Sequence, residues 1–113
     1  MNTGIVIAVK NIGKIIDILK IEDFLEANKD IHICFVNNGS TDDTLEVLKL
    51  CEIKFNQRLS VVSLQKNKKI ETALKAGFRF LLNTMNLSSI SFTNQLNFQK
   101  LIPITEIQGE LLN

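Results

Sequence analysis

The chain has 113 residues, 45% of them hydrophobic, enough for one domain with a substantial core and no more. Thirteen basic residues stand against 12 acidic ones, and the formal charge is +1. That balance argues against general binding to nucleic acid or to a charged membrane surface.

The N-terminal "MNTGIVIAVKN" has an apolar stretch, but no charged segment precedes it and no small-residue cleavage site follows. No run approaches the roughly 18 apolar residues of a membrane span, so the expectation is a cytoplasmic protein. Residues 4–9, "GIVIAV", are continuously apolar and rich in β-branched side chains, which predicts a strand buried on both faces. In "KIIDILKIEDFLEANKD" the period changes. Ile15, Ile18, Leu19, Glu22 and Leu25 follow helical spacing, and Asn28 to Asp30 offer an exit turn. "IHICFV", 31–36, predicts the second strand. A second helix runs from about Asp42 to Ile53, with Leu45, Leu48 and Cys51 at spacings of three and Val47 and Leu50 beside them. "LSVVSLQ", 59–65, predicts strand three.

"KKIETALKAGFRFLLNTM" carries the strongest helical signal, an unbroken stripe of Ile70, Ala73, Leu74, Gly77, Phe78, Leu81, Leu82 and Met85. Gly77 weakens that helix by about 1 kcal/mol relative to alanine, and its place on the stripe predicts close helix–sheet packing. "SSISFT", 88–93, is a fourth strand. Beyond Thr93 the signals mix: Pro103 excludes a helix interior or central strand there, and a last strand over 102–107 is weakly indicated.

Alternating strands and helices predict one α/β domain over residues 1–113, a three-layer α/β/α sandwich on a mainly parallel sheet with right-handed crossovers. Cys34 and Cys51 fall inside apolar patterns and read as buried thiols, with no C-x-x-C or H-x-x-x-H spacing for zinc. His32 has no carboxylate or nucleophile beside it and reads as structural.

Ligands of open α/β sheets sit at the carboxyl ends of the strands. At that end of strand two stands "NNGSTDDT". Gly39 permits a turn with positive φ. Ser40 or Thr41 can cap the next helix, Ser40-x-x-Asp43 is close to a capping box, and Asp42 and Asp43 suit the positive end of the helix dipole. A cap contributes about 1 kcal/mol and accounts for Gly39 to Thr44. It leaves Asn37 and Asn38 unexplained. Two amides past a buried strand either close turn bonds or read a base or ribose edge.

The ordered set of motifs resembles the nucleotide-binding half of family 2 glycosyltransferases, with the GT-A fold. "IVIAVKNIGKIIDIL" resembles the opening strand with its Pro-x-Tyr-Asn-Glu pattern, and "FVNNGSTDDTLEVLKL" resembles Val-Asp-Asp-Gly-Ser-Thr-Asp. "LQKNKKIETALKAGFRF" resembles Asn-x-Gly-x-x-x-Ala-x-x-x-Gly, and "SISFTNQL" occupies the place of a strand ending in Asp-x-Asp. The likeness spans about residues 4–96. It implies a nucleotide-diphospho-sugar-transferase-like domain binding a sugar nucleotide such as a UDP-sugar. The candidate nucleotide-binding residues it implies are Ala8, Asn11, Asn37, Asn38, Lys66 and Asn67.

Departures from the pattern are specific. Ala8, Lys10 and Ile12 replace the proline, tyrosine and glutamate; only Asn11 remains. The acidic pair that helps hold the uracil base and nucleoside in the family is Asn37 and Asn38. An amide donates as well as accepts, but the charge is gone. Lys69 stands in place of the glycine. The metal motif is Asn94-Gln95-Leu96, although a divalent ion on a diphosphate needs hard anionic oxygens. The manganese or magnesium ion expected for the family therefore has its ligands missing, with Asn94 and Leu96 at the degenerate positions. The acceptor half that follows this motif in the family is absent, so the domain reads as truncated. No catalytic residue is assigned: Asp42, Asp43, Glu46 and Glu71 read as helix-end or surface charges.

The expected function is a glycosyltransferase-like domain, weak or inactive as an isolated chain. Lys66, Lys68 and Lys69 either offset diphosphate charge without a metal or simply solvate a turn. The alternative is a non-catalytic assembly or regulatory module that forms a homo-oligomer through exposed apolar tail residues Phe98, Leu101, Ile102, Ile104 and Leu111. A receiver-like phosphate-binding domain is set aside, because Lys10-Asn11 and Gln65-Lys66 stand where its aspartates belong.

Overall fold

A computed structural model describes residues 2–101. In chain order it contains β1 (Thr3–Val9), α1 (Ile18–Ala27), β2 (Ile31–Asn38), α2 (Thr44–Lys54), β3 (Leu59–Leu64), α3 (Ile70–Thr84), β4 (Ser89–Asn94) and α4 (Gln95–Leu101). The strands form one sheet in the order β3-β2-β1-β4, with every pair parallel. The expected parallel α/β architecture is observed, and it is consistent with a GT-A-like domain. Among the described residues no helix is long and apolar enough to cross a membrane.

The two continuous apolar runs become the central strands because only there are both faces covered. Ile7 and Val9 of β1 and Ile33 and Phe35 of β2 point to one face, where they pack with Ile21 and Leu25, Leu48 and Cys51, and Phe98. Val6, Ala8, Cys34 and Val36 point to the other, under Ala73 and Leu81 of α3. Helices α1, α2 and α4 thus cover one side and α3 the other. At Gly77 a Cβ would lie 2.4 Å from Val6 Cγ1 and 2.8 Å from Val36 Cγ2, which is the close approach expected of a glycine on that stripe.

Four expectations need correction. The first helix begins at Ile18 and not at Lys14, because Asp17 caps it: Asp17 Oδ1 accepts from Leu19 N at 3.0 Å and Lys20 N at 3.3 Å. That shift rotates the buried face onto Ile21 and Leu25 and leaves Leu19 68% exposed. In α2 the buried face is Thr44, Leu48 and Cys51, while Leu50 is exposed. Helix α4 forms where mixed signals predicted no element. Phe98 on it is 1% exposed, with its ring edge-on to Phe35 at 5.4 Å, so it is a core residue and not part of an exposed tail surface. Ile102, Ile104, Leu111 and the strand expected over 102–107 lie outside the described residues, as does the Leu101 side chain.

Cys34 and Cys51 are free and buried in the two opposite core layers, with the sheet between them. Burial, reinforced by Glu52, pushes the Cys34 thiol up to about 12, and burial alone pushes Cys51 to about 11. Neither thiol has the thiolate character of a nucleophile.

His32 is buried at the amino end of β2, with Nδ1 3.0 Å from Gln57 O and Nε2 2.8 Å from Ser60 Oγ. Its imidazole is held below its ordinary value of 6.5, first by burial and further by Arg58, against the bond to Gln57 O. The unfolded chain therefore binds the proton at a higher pH than the native chain does. Stability attributable to this group is complete above the unfolded value and is lost as pH falls below about 6.5. The urea midpoint is expected to fall between pH 7 and pH 5, and to fall less in His32→Gln. Parallel pH profiles for the two proteins would rule the assignment out.

Candidate functional site

The strand order reverses between β1 and β4, since β1 connects to β2 on one side while β4 lies on the other. In open α/β sheets that reversal opens a crevice at the carboxyl ends of the strands. Here it is a depression of about 110 Å³ lined by Ala8, Val9, Lys10, Asn38, Ile70, Asn94 and Gln95. Larger hollows, about 590 and 560 Å³, lie at the opposite, amino end of the sheet. They are shallow grooves around Asp30 and Gln57, away from the topological switch, so the smaller crevice is the better candidate.

Asn38 ends β2 and fixes one wall. Its Nδ2 donates to Lys68 O at 2.9 Å, and its Oδ1 accepts from Lys68 N at 2.9 Å. An amide, donor and acceptor in one group, completes this two-way pairing with a backbone unit without carrying a charge. The next residue, Gly39, has φ 68° and donates its N–H to Leu64 O at 3.1 Å. The backbone of Lys66 and Asn67 occupies the space that a Cβ would take, leaving no room for a side chain. Together these contacts hold the β3–α3 loop, with Lys66, Asn67, Lys68 and Lys69, beside the crevice.

Asn37 turns to a different task. Its Nδ2 donates to Ser63 Oγ at 3.2 Å and its Oδ1 accepts from Ser40 Oγ. Asn11 likewise serves the neighbouring loop. At φ 54° it accepts from Thr41 N on Oδ1 at 2.8 Å, while its own N–H donates to Ser40 Oγ at 3.0 Å. Ile12 N donates to Thr44 Oγ1 at 2.9 Å and Gly13 N to Asp42 Oδ2 at 3.3 Å. The β1–α1 and β2–α2 loops are thus joined along their length.

This geometry corrects the expected cap. Neither Ser40 nor Thr41 caps α2. Asp42 Oδ1 instead accepts from Thr44 N at 2.9 Å and from the Thr44 hydroxyl. The Thr44 hydroxyl first, and then the N–H groups of Thr44 and Gly13, hold the exposed Asp42 carboxyl below the usual carboxylate range against an opposing effect of desolvation. Asp43, at the cap position, makes no side-chain capping bond.

At the place of the metal motif, Asn94 Oδ1 caps α4 by accepting from Asn97 N at 3.0 Å. Gln95 Oε1 accepts from Lys10 N at 2.7 Å and closes the crevice floor. Both oxygens are neutral and already hold backbone N–H groups, and a leucine at position 96 brings no side-chain oxygen. Among the described residues no three His, Cys, Asp or Glu side chains gather where they could hold a metal. This donor set does not fit a manganese or magnesium ion.

Of the sequence candidates, Ala8, Asn38 and Asn94 share the crevice wall. Asn11 and Asn37 build the loops behind it, and Lys66 and Asn67 stand exposed on the adjoining loop. Val9, Lys10, Gln95 and Ile70 are wall residues that were missed. Ile70 is 43% exposed despite its place at the head of an apolar stripe, and that position at the start of α3 was the available signal. Residues 5–83, well over half of the chain, match the family model described as glycosyl transferase family 2. No curated protein matches the chain.

Proposed function

The chain belongs to glycosyl transferase family 2, and we propose on that premise that it binds the nucleoside diphosphate part of a sugar-nucleotide donor in the crevice between β1 and β4. The observation that carries the reading is the crevice itself, which lies at the topological switch point of a parallel sheet. Its wall pairs apolar Ala8, Val9 and Ile70 with the amides of Asn38 and Asn94. Apolar surface suits a ribose or base face, and fixed amides supply the few polar contacts that orient such a ligand. None of the crevice residues is a carboxylate, so these residues by themselves offer no general base for an acceptor hydroxyl. The isolated chain is accordingly a binder with weak or no transfer.

Calorimetry with UDP, UDP-sugars and GDP-sugars tests this. Saturable binding to at least one is expected. Ile70→Glu places a carboxylate at the crevice lip and removes the apolar contact there. It suits the first turn of a helix, so it leaves the fold intact. Binding is expected to weaken about tenfold or more, equivalent to about 1.4 kcal/mol. Absence of heat with every ligand, or an unchanged affinity in Ile70→Glu, removes the reading.

A further inference from the structure

We propose that the crevice takes a nucleotide diphosphate without a divalent cation, its charge met by the ammonium groups of Lys10, Lys66, Lys68 and Lys69; this rests on the nucleotide-binding reading above. Two findings combine. First, the oxygens standing at the metal position are neutral and each already accepts a backbone N–H, Asn94 Oδ1 from Asn97 and Gln95 Oε1 from Lys10, so no anionic ligand meets a hard cation there. Second, lysines stand on the segments that border the opening. Lys10 is the residue after β1, and its backbone is anchored to Gln95 on the crevice floor. Across from it, the β3–α3 loop carries three lysines in four positions.

That loop is not a free tether. The paired bonds between Asn38 and Lys68, and the packing of Lys66 and Asn67 against Gly39, fix its backbone at the crevice edge. Lys69 directly precedes Ile70, which lines the wall. All four lysines are exposed. A chain with a net charge of only +1 thus carries one lysine in the lining and three on the loop beside a crevice whose lining contains no carboxylate. Glu71 is the nearest acid along the loop side. Asp42, on the other side, is tied to Gly13 and Thr44. An ammonium is a compact charge on a flexible stem, suited to a phosphate oxygen without fixed geometry.

The full chain is titrated with UDP and with GDP, once in EDTA and once with excess manganese. The expected dissociation constants agree within about twofold, and they weaken as salt is raised, as screened charge pairs do. Lys68→Gln with Lys69→Gln is expected to lose about tenfold or more for UDP, with an unchanged melting curve and an unchanged response to uridine, which has no phosphate. The substitutions spare the backbone groups that Asn38 holds. UDP binding that appears only with manganese, or a double variant that binds UDP like the parent, overturns the proposal and leaves the nucleotide reading standing. No binding of either diphosphate in either buffer overturns both.

Discussion

Gly39→Ala is expected to lower the stability of the fold by about 3 kcal/mol or more and to abolish nucleotide binding at the crevice. Two costs add. At φ 68° an alanine adopts a left-handed conformation that costs roughly 1 to 2 kcal/mol. Its Cβ would also lie 2.3 Å from Asn67 N and 2.6 Å from Lys66 C, which are backbone atoms with no rotamer to move. The loop must shift as a unit, and with it the Asn38–Lys68 pairing. For a domain of this size a loss of 3 kcal/mol lowers the melting temperature by roughly 12 °C or more. Gly13→Ala is the control. Its nearest obstacle is the Asp43 carboxylate, on an exposed side chain that swings aside; Thr44 N, 3.0 Å away, has to yield by only a few tenths of an ångström, so the cost stays within about 1 to 2 kcal/mol and below that of Gly39→Ala. Urea titrations read both. A Gly39→Ala midpoint equal to that of the parent, or a Gly13→Ala midpoint equally depressed, would falsify the account.

How much of the fold was legible in the sequence depended on whether the cause was local. The apolar runs of β1 and β2 announced buried parallel strands, because burial on both faces demands apolar residues at every position. Gly77 was likewise legible, since a glycine on an apolar helical stripe marks where the helix comes closest to the sheet. Helix α1 was misphased because Asp17 resembled an interior residue of the pattern; its capping role is visible only once Leu19 N and Lys20 N point at it. The joints between loops were hidden for a stronger reason. Asn11 meets Thr41, and Asn38 meets Lys68, across some thirty positions of sequence, and nothing local marks either pair. Arg58 was missed entirely, although its guanidinium donates to the carbonyls of Leu25, Asn28 and Ile31 and ties the end of α1 to the start of β2. Helix α4 is short, too short for its period to rise above the mixed signals around Pro103. The motif "GSTDDT" announced a turn and a helix start correctly, but the bonds expected of the Ser40 or Thr41 hydroxyl fall to the Asp42 carboxylate.

Asn38→Asp restores an acid where the family pattern has one, and it is expected to harm the protein. The carboxylate accepts from Lys68 N as before, but it has no proton to give to Lys68 O, now 2.9 Å from an anionic oxygen. Asn38 is buried, so the new charge is also poorly hydrated. Leaving a buried acceptor facing another acceptor costs about 1 to 3 kcal/mol, and more when one is charged. Burial and the facing carbonyl both favour the protonated acid, raising its native-state value above that of the unfolded chain. A group raised in this way destabilises the native state at high pH and ceases to do so as pH falls through the raised value. The deficit relative to the parent, about 2 to 3 kcal/mol at pH 8, is therefore expected to shrink at pH 5. Measuring the difference from the parent at each pH cancels the contribution of His32. Nor does the acid recover a metal site, because Asn94 and Leu96 still supply no second anionic ligand. If Asn38→Asp were as stable as the parent at pH 8 and bound UDP more tightly with manganese, the amide would be a mere replacement for the acid, not the clamp that positions the lysine loop.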